Sequence, residues 1–330
     1  MSPRSDGAGG GLPAPRATTP EVRAGFPLAV VSATAFGLSG SLASALLATG
    51  WSAGAAVTAR VVIAAAVLIL PGLRALRRSD GGGIDWSVLR RNAGTIVAYG
   101  VLAVAATQLC YFYAVSRLEV GVALLIEYTA PIAVVGWMWA VHRQRPSRLT
   151  ILGAVIATCG LPLLLNMPLL WGNPDASGRA VDAVGVAWAL AAMVGAASYF
   201  VMSADDSTGL APISLAASGL VVGGVVLGAA GMLGALPMAA GTADVDLRGV
   251  AVPWWLPVAV LGLVTAALAY VTGIAATRRL GSRLASFVAL TEVVAAIVFA
   301  WLLLGQVPLG VQLAGAAVVL VGVAVVRLGE

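Results

Sequence analysis

Three charged residues stand inside long apolar runs, where charge is expensive: Arg60, Glu127 and Glu292. On insertion scales a charged side chain at the centre of a bilayer costs at least ~2.5–3.5 kcal/mol, so each needs a reason to be there. Arg60 and Glu127 lie about six and seven residues into their runs from the same side, roughly 10 Å deep at 1.5 Å per residue. Two chemistries fit them equally: a fixed ion pair, or a carboxylate receptor on Arg60 with Glu127 as its exchangeable partner. Glu292 lies roughly 12 Å deep from the opposite side by the same rise, with no cation placed to meet it in a neighbouring run. An acid buried without a partner favours its neutral form. Glu292 is therefore expected to take up and release a proton, or to bind a solute's amino group. A neutral acid bonded to a backbone carbonyl for packing is the alternative.

Other chemistry is excluded. The chain has no lysine, hence no phosphate-binding loop ending in Lys and no ATP motor. No nucleophile stands beside a base at catalytic spacing, so an enzyme is not expected. The single histidine, His142, sits beside Arg143 and Arg145 at the end of a run. Cys110 and Cys159 lie inside apolar runs, which makes neither a metal site nor a disulfide framework. No cofactor is expected, and energy must come from a gradient.

The elements that position these residues follow from composition. Of 330 residues, 60% are hydrophobic and 10% charged, against about 25% charged in soluble domains. A bilayer supplies the apolar solvent that such a chain lacks. Ten runs of about 20 residues can cross it: 26–48, 54–73, 94–115, 120–141, 149–167, 183–203, 210–234, 254–276, 284–304 and 308–327. Residues 1–24 read as a disordered cytoplasmic tail rich in Gly and Pro. The net charge of +5 resides in arginines between the runs, a topology signal and not a nucleic-acid surface. With the N-terminus inside, fifteen arginines fall inside and Arg117, Arg179 and Arg248 outside, so both termini are expected in the cytoplasm. Tryptophans near the run ends, among them Trp51, Trp86, Trp137, Trp139, Trp171 and Trp301, read as interfacial anchors.

A shift of 162 positions lays one half of the sequence on the other. Gly100 meets Gly262, Arg117-Leu118 meets Arg279-Leu280, and Thr129 meets Thr291. Trp139 meets Trp301, Gln144-x-Pro146 meets Gln306-x-Pro308, Gly153 meets Gly315 and Gly160 meets Gly322. Each half then holds five spans, and an odd number makes the second half enter from the opposite side. The expected fold is all-α: ten membrane helices in two inverted five-helix repeats, 25–168 and 183–328, with an external linker at 169–182. Such repeats place a solute site near the midplane where the halves meet. Gln108 and Tyr270 share one repeat position, with Tyr111 one turn from Gln108. They read as lining of that shared site or, equally, as interhelical hydrogen bonds.

This architecture, with the string Val122-Ala-Leu-Leu-Ile-Glu-Tyr-Thr-Ala-Pro-Ile-Ala-Val134, resembles the EamA family of the drug/metabolite transporter superfamily. The string is most similar to the threonine and homoserine exporters, and Arg60 in Ala59-Arg-Val-Val matches the usual arginine of the second helix. Val293 follows Glu292 where the family often has Pro, which suggests a straighter ninth helix. Gln306 stands where an acid is frequent. The resemblance implies an inner-membrane carrier of small polar metabolites such as amino acids, working outward and coupled to protons. Its substrate-binding residues would be Arg60, Gln108, Tyr111, Glu127, Tyr270 and Glu292, with Glu292 and Glu127 coupling protons. Its partners would be the lipid bilayer and a small-molecule substrate, with the oligomeric state open. Uptake or exchange of another solute (a drug, a nucleotide-sugar or a lipid-like molecule) is the alternative, and a membrane enzyme a more remote one.

Overall fold

The computed structural model describes residues 19–77, 83–115, 117, 120–164 and 182–329. In chain order the helices are Thr19–Leu47 (α1), Ala53–Arg74 (α2), Trp86–Arg91 (α3), Ala93–Ala98 (α4), Thr107–Val115 (α5), Val120–Glu127 (α6) and Ala130–Ala140 (α7). There follow Arg148–Leu164 (α8), Ala183–Ala204 (α9), Pro212–Met232 (α10), Trp255–Gly262 (α11), Ala269–Ala289 (α12), Thr291–Leu304 (α13) and Gly310–Gly329 (α14). Two π-helical stretches, Tyr99–Ala106 and Leu263–Leu268, join α4 to α5 and α11 to α12. The strands Val245–Leu247 (β1) and Val250–Val252 (β2) form a small antiparallel hairpin.

Seven helices are long and apolar enough to cross a membrane: Ala24–Leu47, Ala53–Arg74, Ala93–Tyr111, Ala183–Ala204, Pro212–Met232, Trp255–Ala289 and Gly310–Gly329. Shorter apolar helices, α7, α8 and α13, occupy the fourth, fifth and ninth positions expected from the sequence. Three expectations need correction. Helix α1 begins at Thr19, ahead of the apolar run, so the end of the expected tail is helical. The eighth run continues through residue 289 and bends only at Gly281, whose φ of 79° is open to a residue without Cβ. The fourth and ninth runs are each broken, as set out below. Arg4, Arg16, Arg78, Trp171, Arg179 and the linker 169–181 lie outside the described residues.

The 162-residue repeat is visible as geometry. Repeat mates α8 and α14 pack together, as do α2 and α10. A Cβ added at Gly153 would stand 2.6 Å from the Val326 nitrogen, and one at Gly160 would stand 2.8 Å from that of Val319. The mirrored contacts recur one repeat on: Gly315 abuts the Leu164 backbone and Gly322 abuts Ala157. Residue numbers rise on one helix as they fall on the other, so the mates are antiparallel, as inverted halves require. Likewise α1 packs on α12 and α13, and its mate α9 packs on α5 and α6. Gly100 approaches Val222 of α10, while its mate Gly262 approaches Ile63 of α2. The matched glycines therefore mark close helix contacts that an added Cβ would obstruct.

Both halves break at the same position. Between α6 and α7 the Thr129 hydroxyl donates to the Ile126 carbonyl at 2.6 Å. Between α12 and α13 the Thr291 hydroxyl donates to the Val288 carbonyl at 2.7 Å. In the first break Pro131 has no N–H to continue the ladder. The second break has no proline and persists all the same, so the straighter ninth helix expected from Val293 is not found. The threonine hydroxyl adds a bond to the carbonyl at each break, and at the first the Ile126 carbonyl also accepts from the Thr129 amide at 3.1 Å. A second shared device follows at the ends of α7 and α13. Arg143 (φ 55°) and Gly305 (φ 69°) are left-handed, and the amides of Gln144 and Gln306 return to the carbonyls of Met138 and Ala300. Left-handed backbone costs a residue with a Cβ roughly 1–2 kcal/mol, so the arginine bears a strain that its glycine mate avoids.

Candidate functional site

Where the halves meet they leave one cavity of about 700 Å³. Arg60, Gln108, Tyr111, Glu127, Tyr270 and Glu292, all six residues singled out in the sequence, line it. It extends from midspan to the α1–α2 connection, at Leu47 and Ala53, and to the α13–α14 connection, at Gln306, Val307 and Pro308.

Arg60 is buried on α2. Its Nη2 donates to the Thr265 carbonyl at 2.8 Å, and its guanidinium stands 5.6 Å from the centre of the Phe36 ring. Thr265 belongs to the second π-helical stretch, a departure from the α-helical ladder of a kind frequent at functional sites. The first stretch is used in the same way, since the Tyr270 hydroxyl donates to the Ala103 carbonyl at 3.4 Å. Fixed at one nitrogen and one face, the guanidinium keeps further N–H groups for a ligand. The ion pair with Glu127 that equal depth allowed is not formed. Among the described residues the one salt bridge is Arg117–Asp182, at 3.2 Å. Both acids, Glu127 and Glu292, are half-buried, and neither forms a salt bridge with Arg60. Similar depth says nothing of angular position around the bundle, and α2 and α6 bring the two residues to one cavity without pairing them.

Glu292 opens α13 at the break, and its setting comes from two neighbours. A Cβ on Gly37 of α1 would stand 2.7 Å from the Glu292 carbonyl oxygen, so the two backbones touch. The Tyr128 hydroxyl, from the opposite break, donates to Glu292 Oε1 at 3.5 Å. Sequence reasoning found no partner for Glu292 and passed over Tyr128. The signal was available: Tyr128 stands beside Thr129, at the same repeat position as Leu290 beside Thr291.

Aromatic rings complete the wall. Tyr270 meets Phe36 edge-on at 5.4 Å and Tyr199 at 5.6 Å. The Tyr99 and Tyr199 rings lie 6.2 Å apart, and the hydroxyls of Tyr99 and Ser203 are 3.2 Å apart. Gly273 leaves room for the Tyr199 hydroxyl beside Ser32. Of the lesser candidates, Ser39 lines the cavity, while Ser198 bonds within its own helix to the Val194 carbonyl. Trp51 proves to be structural, since it is buried and its ring N–H donates to the Gly241 carbonyl at 2.8 Å. Trp86, Trp137, Trp139 and Trp301 are exposed, as anchors would be. Cys110 and Cys159 are free thiols.

Taken together, the cavity presents one guanidinium, two carboxyl groups and a bed of aromatic rings. Such a set can hold a small solute with both an anionic and a cationic end. A family model described as the EamA-like transporter family matches residues 23–166 and, a second time, residues 183–328. No curated protein matches the sequence. Among solved structures, a crystal structure whose description names no activity matches with a TM-score of 0.70 at 21% identity. The match covers 92% of this chain and 96% of that one. At that identity the likeness speaks for the fold alone.

Proposed function

Because the chain belongs to the EamA-like transporter family, a family of membrane transporters of small solutes, we propose that it exports amino-acid-like metabolites by proton-coupled alternating access. Ten crossings with both termini in the cytoplasm give the topology. The observation that carries the reading is the placement of Arg60, Glu127 and Glu292 on one cavity between two inverted halves. A carboxylate would take the spare N–H groups of Arg60, and an ammonium group would take Glu292 or Glu127. A proton on Glu292 would compete with that ammonium, which ties release of cargo to proton entry. In this topology the α1–α2 and α13–α14 connections lie outside, so the cavity described is open outward. The Glu127-Tyr-Thr-Ala-Pro131 string supports threonine-like cargo as the first to try.

The test is counterflow of labelled amino acids into liposomes carrying the purified protein, with and without a pH gradient. Saturable exchange that depends on the gradient and is lost in Glu292→Gln supports the reading. Full transport by Glu292→Gln with an unchanged pH profile overturns it.

A further inference from the structure

The two helix breaks are equivalent in backbone but not in side chain. At the first stands Tyr128, and at the second, one repeat on, stands Leu290. Tyr128 ends the α6 ladder, its amide donating to the Leu124 carbonyl at 2.8 Å. Thr129 and Pro131 then turn the chain into α7. This turn brings the Tyr128 side chain, on the cavity wall, to the second half, where its hydroxyl meets Glu292 Oε1 at 3.5 Å. Leu290 has no hydroxyl and packs into the apolar cluster with Phe287 and Val293. The phenol is thus the polar bridge between the two breaks, and it joins opposite halves of the molecule. Glu292 has its backbone fixed against Gly37. Among the described residues its carboxyl accepts from no other side chain; the other titratable groups facing it on the cavity are Arg60 of α2, Tyr111 of α5, Glu127 of α6, Tyr199 of α9 and Tyr270 of α12.

We infer that Tyr128 is a positioning residue for Glu292: its O–H aims the charged carboxylate into the cavity and lets go when the acid takes up a proton. A phenol O–H donates well to a carboxylate and poorly to a neutral acid that has a proton of its own to place. The contact therefore exists in one protonation state and loosens in the other. Because it spans the two breaks, loosening it frees the halves to move against each other. No proton passes to or from Tyr128 in this scheme, and the exchange at Glu292 is with solvent or cargo. The inference rests on the reading that Glu292 works in transport, and the experiment below separates the two.

Tyr128→Phe keeps the ring and its packing and removes only the O–H. The full chain, in liposomes, is compared as wild type, Tyr128→Phe, Glu292→Gln and the double variant. One readout needs no cargo: pH-difference infrared spectra, in which the Glu292 carboxyl band is identified by its loss in Glu292→Gln. The band is expected to move in Tyr128→Phe. A band that stays in place, or no titrating band at Glu292 at all, overturns the inference. The other readout is half-saturation of equilibrium binding, which needs no turnover, with labelled threonine as probe. It is expected to rise roughly 3- to 10-fold in Tyr128→Phe, the worth of one hydrogen bond, with no further rise when Tyr128→Phe is added to Glu292→Gln. Equal effects in both backgrounds overturn the inference. Unimpaired transport by Glu292→Gln sinks the functional reading alone, and the infrared band still decides the role of Tyr128.

Discussion

Replacing Arg60 with Lys keeps the charge and removes the geometry, which makes it the sharpest test of the cavity as a carboxylate receptor. Arg60 spends one nitrogen on the Thr265 carbonyl at 2.8 Å and lays its face toward Phe36. What remains of the planar fork can still give a carboxylate two parallel N–H bonds. A lysine has three donors on one nitrogen. If one holds Thr265, the rest offer a point contact instead of a fork. The difference is about one charge-assisted hydrogen bond, ~1.5–3 kcal/mol. At about 1.4 kcal/mol per decade that is a rise of roughly 10- to 150-fold in half-saturating concentration. The assay is counterflow of labelled threonine, run beside thermal unfolding in detergent. Lost stacking on Phe36 is expected to lower stability by only about 0.5–2 kcal/mol. A folded Arg60→Lys protein with wild-type half-saturation would refute the reasoning and return Arg60 to a purely structural role.

Three further outcomes follow from the geometry. Gly153→Ala and Gly315→Ala each place a methyl against the backbone of a mate helix, and each is expected to cost roughly 1–3 kcal/mol in thermal unfolding. Gly136→Ala, with open space around it, should be neutral or gain up to about 1 kcal/mol. Gly37→Ala pushes on the Glu292 carbonyl and Ala295. It should lower stability by roughly 1–3 kcal/mol and also weaken half-saturation in counterflow, which a remote glycine would leave alone. Asp182 is held below the usual carboxylate range, first by the Val184 amide of the α9 cap and then by Arg117. A carboxyl depressed on folding stabilises the fold above its unfolded value and loses that contribution as pH falls through the folded one. The difference in melting temperature between wild type and Asp182→Asn should therefore be present at pH 6–7, begin to shrink below about pH 4, vanish only once the pH is below the depressed folded value, and shrink with added salt.

The sequence by itself determined the membrane class, the positions of the apolar helices and the repeat. Each rests on a property that survives without coordinates: apolar runs of a length fixed by the bilayer, and residue identities matched at a constant offset. It also named six residues of the cavity: Arg60, Glu127 and Glu292 because a charged group inside an apolar run is costly wherever the run ends up, and Gln108, Tyr111 and Tyr270 from their place in the repeat. Tertiary structure decided who meets whom. Arg60 donates to the Thr265 carbonyl because the fold packs a π-helical stretch of the other half against α2, and π-stretches have no mark in composition. Glu292 gained Tyr128 because the chain breaks at Thr129, and the phenol then reaches across from the other half. Depth along a helix can be counted from a sequence. Angular position around a bundle depends on backbone contacts such as Gly37 against Glu292, and only the folded chain sets those.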